Sequence, residues 1–194
     1  MLHERIKSST TEDHKNAERH SYGAEIMSRS LTKTQYAQLL IANYSYIAPW
    51  EKQWAEISGI DTSSLQLEVR KKTGMLENDL RALGIDPTSV AQASIALPTN
   101  LAQFLGRMYV IEGSTLGGAM IEKQLQQNNN LTDCSFEFYG GYGKDLIPLW
   151  KSFLATLNTV EDNAAQEEAI EWAKQSFKDM ENSFIQAKTY SANS

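Results

Sequence analysis

Three residues that could together bind a flat anionic ligand lie in the first predicted helix of this chain. Lys7 lies seven residues before His14 and Glu18 four residues after it, which places all three on one helical stripe. At about 1.5 Å per residue, Lys7 lies about 10 Å from His14 along the helix axis. The His14 imidazole could then contact the centre of such a ligand, and the Lys7 ammonium could contact its rim. A solvated histidine–glutamate pair has the same spacing, so both interpretations stay open.

A second candidate site lies in the apolar helical run from Phe104 to Leu125. It contains Gly113, Gly117 and Gly118 within six residues. Each glycine in a helix interior costs about 1 kcal/mol relative to alanine. The cluster therefore predicts either that another group comes very close to the backbone or that the helix bends. Close packing between two helices is the alternative explanation.

The composition excludes several classes of function. The chain has 194 residues, 41% hydrophobic and 22% charged, as expected for one globular domain over residues 1–194. No run approaches the roughly 18 apolar residues of a membrane span. The net charge of -6 argues against a nucleic-acid surface. Short basic clusters, namely Arg70 to Lys72 and the set Lys7, Lys15 and Arg19, are predicted to be solvated helix faces.

The chain offers few groups for metal or thiol chemistry. Cys134 is its single cysteine, which excludes an internal disulfide and a cysteine-bound cluster. No Glu-x-x-His occurs, so a di-iron carboxylate site is not expected. His3 lies near the terminus and His20 about 120° around the helix from His14, so neither is predicted to partner it. The first 14 residues lack the apolar segment of a secretory signal, and we expect a cytoplasmic protein.

Helical periodicity in nearly every long segment predicts an all-α fold. A Thr32/Gln35 capping box begins the second helix, and Pro49 predicts a kink or break near Ala48. The other predicted helices cover about Leu2 to His20, Leu65 to Leu83, Asn100 to Gln127, Leu146 to Leu157, and a segment beginning at Asp162 or Asn163. We expect a frayed tail over about 188–194.

Two phrases of the sequence resemble conserved segments of one enzyme family. The phrase IKSSTTEDHKNAE is similar to the proximal helix of haem oxygenases, and MYVIEGSTLGGAMI to their glycine-bearing distal helix. The likeness is to bacterial enzymes, including those associated with bacteriophytochromes. It extends to RKKTGMLENDLRALG, FYGGYG and LIPLWKSFLATLN. The resemblance implies a single-domain, haem-oxygenase-like multi-helix bundle with a glycine-bent distal helix.

The resemblance also assigns roles to individual residues. His14 would be the proximal ligand of the haem iron, and Glu18 would accept its second N–H. The other implied haem-binding residues are Lys7, Tyr109 and Lys151 near the propionates, Gly118 on the distal helix, and Phe177 in the distal wall. The residues implied in catalysis are Gly113, Ser114 and Gly117, because the glycines let the backbone pass close to the distal face of the ring.

Ser114 departs from the family pattern. Many members have an aspartate at this position, where it organises water on the distal side. Here Ser114, Thr115 or backbone groups could hold that water. The resemblance is therefore compatible with two functions. The first is a haem oxygenase that converts haem b to biliverdin, carbon monoxide and ferrous iron, and the alternative is a haem-binding carrier or sensor without turnover. A fold relative acting on a thiamine-like molecule is disfavoured, because its usual cysteine nucleophile has no convincing counterpart here.

The implied reaction needs partners besides haem and O2. The sequence has no flavin or nicotinamide fingerprint, so the electrons must come from an external donor, either a ferredoxin or a flavoprotein reductase. A biliverdin-using photoreceptor or reductase is a further implied partner. Neither nucleic acid nor a membrane span is expected.

Overall fold

The computed structural model describes residues 1–191, and no strand occurs among them. The all-α prediction is confirmed. The α-helices are α1 (Leu2–Ser9), α2 (Thr11–Arg19), α3 (Gly23–Met27), α4 (Lys33–Gln53), α5 (Thr73–Ala82), α6 (Leu101–Gln126), α7 (Glu137–Gly140), α8 (Leu146–Leu157) and α9 (Asn163–Ala187). Short 3-10 turns cover Ser63–Leu65, Leu67–Arg70, Pro87–Ser89, Asn129–Leu131 and Gly143–Asp145.

The N-terminal segment forms two helices rather than the single helix predicted over about Leu2 to His20. Thr10 separates α1 from α2 with φ −110° and ψ 11°. Its hydroxyl donates to the carbonyl of Ile6 at 2.8 Å, a local bond that competes with regular helix geometry. The predicted stripe therefore crosses this break, with Lys7 on α1 and His14 on α2.

The start of α4 is as predicted, and of the kink or break predicted near Ala48, the break does not occur. The Thr32 hydroxyl accepts from the Gln35 amide, and the Gln35 side chain accepts from the Thr32 amide, which completes the capping box. The helix continues through Pro49 to Gln53. Proline lacks the N–H that would bond to the Ser45 carbonyl. The Ala93 amide donates to that carbonyl instead, at 2.9 Å.

The helix predicted over Leu65 to Leu83 forms only in its second half. Gln66 has φ +51°, a left-handed conformation that separates two 3-10 turns. The following helix, α5, has no side-chain cap from its own N-cap residue. The Glu51 carboxylate of α4 instead accepts from the amides of Lys72 at 2.6 Å and Thr73 at 3.1 Å. A tertiary contact thus replaces the local cap.

The long helices α6 and α9 form the centre of the fold. Asn100 and Asp162 cap them, and α6 runs without interruption through its glycines to Gln126. The two helices approach closely at Gly106, where an added Cβ would lie 2.2 Å from the carbonyl oxygen of Ala169. Helix α9 also packs against α1, α2 and α4. It therefore supports both of the segments that carry the predicted site.

The C-terminal segment after α9 begins on the surface of α4. The Gln38 amide donates to the carbonyls of Lys188 at 3.2 Å and Tyr190 at 2.7 Å. Part of the tail predicted over about 188–194, residues 192–194, lies outside the described residues. Within residues 1–191, no helix has both the length and the hydrophobicity needed to cross a bilayer.

Candidate functional site

A cavity of about 970 Å³ lies between α2 and α6. Both helices pack on α9, which contributes apolar side chains to the cavity, and residues 138–143 form part of its wall. The lining includes nine of the ten residues predicted for the site: Lys7, His14, Glu18, Tyr109, Gly113, Ser114, Gly117, Gly118 and Phe177. The tenth, Lys151, is exposed on α8 and is not in the lining, although its neighbour Trp150 is.

His14 is the imidazole on the α2 side of the cavity. Its side chain is 56% exposed, and its Nδ1 lies 3.4 Å from a carboxylate oxygen of Glu18. The Phe177 ring of α9 packs edge-on against the imidazole, with 5.6 Å between ring centroids. Phe177 therefore lies beside the predicted proximal ligand and not in the distal wall to which the resemblance assigned it. Because Glu18 can accept a hydrogen bond from a proton on Nδ1, Nε2 is the nitrogen left to ligate a metal.

The three glycines on the α6 side of the cavity have different surroundings. An added Cβ at Gly113 would meet only a Trp150 ring atom at 3.9 Å, and one at Gly117 only an Ile121 methyl at 4.0 Å. An added Cβ at Gly118 would lie 2.9 Å from the Tyr139 carbonyl oxygen. Gly113 and Gly117 therefore leave the helix surface open to the cavity. Gly118, by contrast, permits close packing against the chain that forms the cavity wall.

The hydroxyl groups next to Gly113 are bonded within their own helix. Ser114 donates to the Ile111 carbonyl at 2.8 Å, and Thr115 donates to the Glu112 carbonyl at 2.6 Å. Both residues line the cavity. With their protons engaged, these oxygens are arranged to accept hydrogen bonds from a ligand or water rather than to donate them.

One edge of the cavity carries a cation and a phenol. Lys7 lines this edge and forms no ion pair within residues 1–191. Tyr109 is largely buried, and this burial, together with the Glu4 carboxylate, raises the pKa of Tyr109 to about 12. The phenol therefore stays protonated at neutral pH and can donate a hydrogen bond to an anionic group.

His3 is a cavity residue that the sequence interpretation missed. Its ring centroid lies 5.9 Å from those of Tyr109 and Trp150, and it lines the same cavity. The signal available in the sequence was its position four residues before Lys7, which places both side chains on one face of α1.

A buried ionic cluster connects α6 with the cavity wall, and it corrects the prediction that Arg70 to Lys72 form a solvated face. Arg70 and Lys72 are buried, and both pair with the Glu112 carboxylate, Lys72 at 2.8 Å. The Tyr142 hydroxyl donates to the same carboxylate at 2.7 Å. Burial and the Glu112 charge raise the pKa of Tyr142 well above its ordinary value. Glu112, which directly precedes Gly113, thus fixes the loop beside the glycines.

Comparisons with solved structures give the same fold. The NO- and CO-bound haem oxygenase of Neisseria meningitidis has a TM-score of 0.72 at 21% identity, covering 100% of this chain and 95% of that one. The haem complex of the Synechocystis enzyme has a TM-score of 0.78 at 19% identity, with coverages of 97% and 92%. The Leptospira interrogans enzyme has a TM-score of 0.75 at 17% identity, with coverages of 95% and 98%.

Sequence comparison extends this likeness from the fold to the family. A haem oxygenase from Xanthomonas campestris pv. campestris is 29% identical over 143 residues, which are 73% of this chain and 84% of that protein. The family described as Heme oxygenase matches residues 1–185, which include every residue of the cavity lining. The chain therefore belongs to the haem oxygenase family.

Proposed function

We propose that this protein is a haem oxygenase, which uses O2 and external electrons to convert haem b to biliverdin, carbon monoxide and ferrous iron. One observation carries the proposal: His14 and the open glycines Gly113 and Gly117 line the same cavity. Membership of the family supports haem degradation as the reaction.

The cavity residues fit a flat, anionic tetrapyrrole. The volume of about 970 Å³ is at the upper end of the range for small-molecule sites. One wall offers a single imidazole, and the other offers two glycines whose missing side chains leave space for a ring. Between Gly113 and Ala119 there is no histidine, cysteine or methionine to act as a second iron ligand. Lys7 supplies positive charge at the edge.

Each cavity residue has a distinct task in the proposed reaction. His14 ligates the iron through Nε2, while Glu18 accepts from Nδ1 and so fixes the tautomer. Phe177 restricts the plane of the imidazole by edge-on packing. When bound, haem supplies both the iron at which O2 is reduced and the ring carbon that is oxidised. Gly113 and Gly117 would leave the opposite wall free of side chains, so that the α6 backbone could lie close to the ring where O2 reacts.

Positively charged residues serve two steps of the proposed reaction, the binding of the haem propionates and the docking of the electron donor. Lys7 and Tyr109 would bind the propionates, and the proposal also assigns to them the exposed Lys151 of α8, which lies outside the cavity lining. Lys15 at the cavity lining pairs with Glu12 at 2.8 Å, so Lys7 is the lining lysine whose charge an acidic ferredoxin or flavoprotein reductase would meet. The reduction rate should then fall as salt concentration rises. Biliverdin would pass to a photoreceptor or reductase in the cytoplasm.

A non-catalytic haem carrier or sensor is the second candidate. The observation that favours it is Ser114, whose hydroxyl donates to the Ile111 carbonyl and not into the cavity. A carrier would bind haem at His14 but would lack a group that organises distal water. The two functions predict the same haem complex and different behaviour under O2.

Incubation with haem followed by reduction under air separates these functions. For the oxygenase we expect a Soret band and then biliverdin absorbance, with one carbon monoxide released for each biliverdin formed. A haem complex that persists through repeated reduction would establish the carrier. If no Soret band forms, both haem functions are wrong.

A further inference from the structure

His3 carries a possible ligand-binding group that the proposed reaction leaves unused. Its side chain is 20% exposed and lines the cavity beside Tyr109 and Trp150. The Glu4 carboxylate lies 3.4 Å from Nδ1, and neither ring nitrogen forms a hydrogen bond within residues 1–191. Nε2 has no partner there, so a proton on Nε2 would be free to bind an acceptor group of a ligand.

The position of His3 is fixed independently of its imidazole. Its backbone amide donates to the Asn158 side chain at 3.2 Å, which fastens the start of α1 to the end of α8. The ring lies edge-on to Trp150, with 83° between planes, and at 49° to Tyr109. Two aromatic contacts and a backbone bond thus hold the imidazole at the cavity edge before any ligand arrives.

The chemistry around His3 indicates what it would bind. Lys7 lies one helical turn further along α1, on the same face, and the protonated Tyr109 phenol is adjacent. A cation, a phenol donor and an imidazole at one edge of the cavity match a carboxylate, which accepts several hydrogen bonds at once. The other nearby charge is the Glu4 carboxylate, which lies against Nδ1 and not Nε2.

We propose that His3 donates a hydrogen bond from a protonated Nε2 to a carboxylate of the tetrapyrrole, as a third contact beside Lys7 and Tyr109. This inference rests on the proposed function, because the ligand it requires is haem. Three contacts at one edge restrict rotation of the ring in its own plane better than two. His3 is therefore a residue that helps to select which ring carbon faces the open side of Gly113 and Gly117.

The test compares haem with its dimethyl ester, in which both carboxylates are blocked. His3→Phe keeps an aromatic ring against Tyr109 and Trp150 but removes both nitrogens. A hydrogen bond to a charged group is worth enough to predict about a tenfold loss of haem affinity in this variant. The ester should bind the variant and the natural protein with equal affinity. Affinities are measured by titrating the Soret band.

The matched control is His20→Phe, which removes an imidazole that contacts Glu181 at 3.5 Å and lies outside the cavity lining. It should bind haem as the natural protein does. The biliverdin isomers formed by His3→Phe should be more mixed than those of the control. Equal losses for haem and ester, or no loss for either, would overturn the role of His3 while leaving the oxygenase intact. Failure of the natural protein to bind haem would instead remove the proposed function and this inference together.

Discussion

Replacement of Gly113 by alanine should stabilise the haem-free protein and weaken its complex with haem. The added methyl group would meet only a Trp150 ring atom, at the ordinary contact distance of 3.9 Å. It therefore creates no clash in the absence of ligand. On the cavity side of α6, however, the same methyl group occupies space that we assign to the porphyrin.

The magnitudes follow from helix propensity and from packing. Alanine is favoured over glycine in a helix interior by about 1 kcal/mol, which corresponds to a rise of roughly 2–4 °C in Tm for a chain of this size. In the complex, forcing a methyl group into a filled space costs roughly 1–3 kcal/mol. Since 1.4 kcal/mol is about tenfold in Kd, haem affinity should fall by roughly 5- to 150-fold.

Thermal unfolding of the haem-free protein and a Soret titration measure the two effects separately. Gly106→Ala is the matched control, because its methyl group would lie 2.2 Å from the Ala169 carbonyl oxygen and should destabilise the fold. Gly118→Ala should also destabilise, through the Tyr139 carbonyl at 2.9 Å. A Gly113→Ala protein that is less stable than the natural one, or that binds haem equally well, would refute the assignment of Gly113 to an open cavity wall.

Three further predictions concern the surroundings of the cavity. Glu112→Gln leaves the buried Arg70 and Lys72 without a counter-charge and should lower the free energy of unfolding by about 3–5 kcal/mol. Urea unfolding measures this loss, and an unchanged free energy of unfolding would contradict the role of the cluster. Burial raises the pKa of Tyr109 from 10.0 to about 12, so folding favours the neutral phenol. The resulting stability is present below about pH 10 and lost as pH rises towards 12, and Tyr109→Phe should flatten that loss in urea unfolding across this range. His14→Ala should remove the imidazole signature from the haem spectrum, and an unchanged spectrum would assign the ligand elsewhere.

Local signals in the sequence predicted much of the fold. The caps at Thr32, Asn100 and Asp162 depend on side chains that bond to amides three residues later, so spacing alone reveals them. Two predicted groups of site residues also line a common cavity. These are the stripe of Lys7, His14 and Glu18, and the glycines of α6. Contacts within one helix turn, and positions without a side chain, can be predicted from the sequence without knowledge of the tertiary structure.

The features that were missed depend on partners distant in sequence. Pro49 does not break α4, because the Ala93 amide donates to the Ser45 carbonyl that proline leaves without a partner. No local sequence pattern predicts that contact. Arg70 and Lys72 are buried because Glu112, some 40 residues later, neutralises them. The glycine pattern was likewise incomplete, since the glycine with the tightest surroundings is Gly106, outside the cluster from Gly113 to Gly118.

A crystal structure of the haem complex tests the central claim most directly. The account predicts that the iron is bonded to Nε2 of His14, that Glu18 lies on Nδ1, and that the backbone of Gly113 and Gly117 faces the opposite side of the ring. Iron ligation by any other residue, or haem bound outside the cavity between α2 and α6, would contradict it.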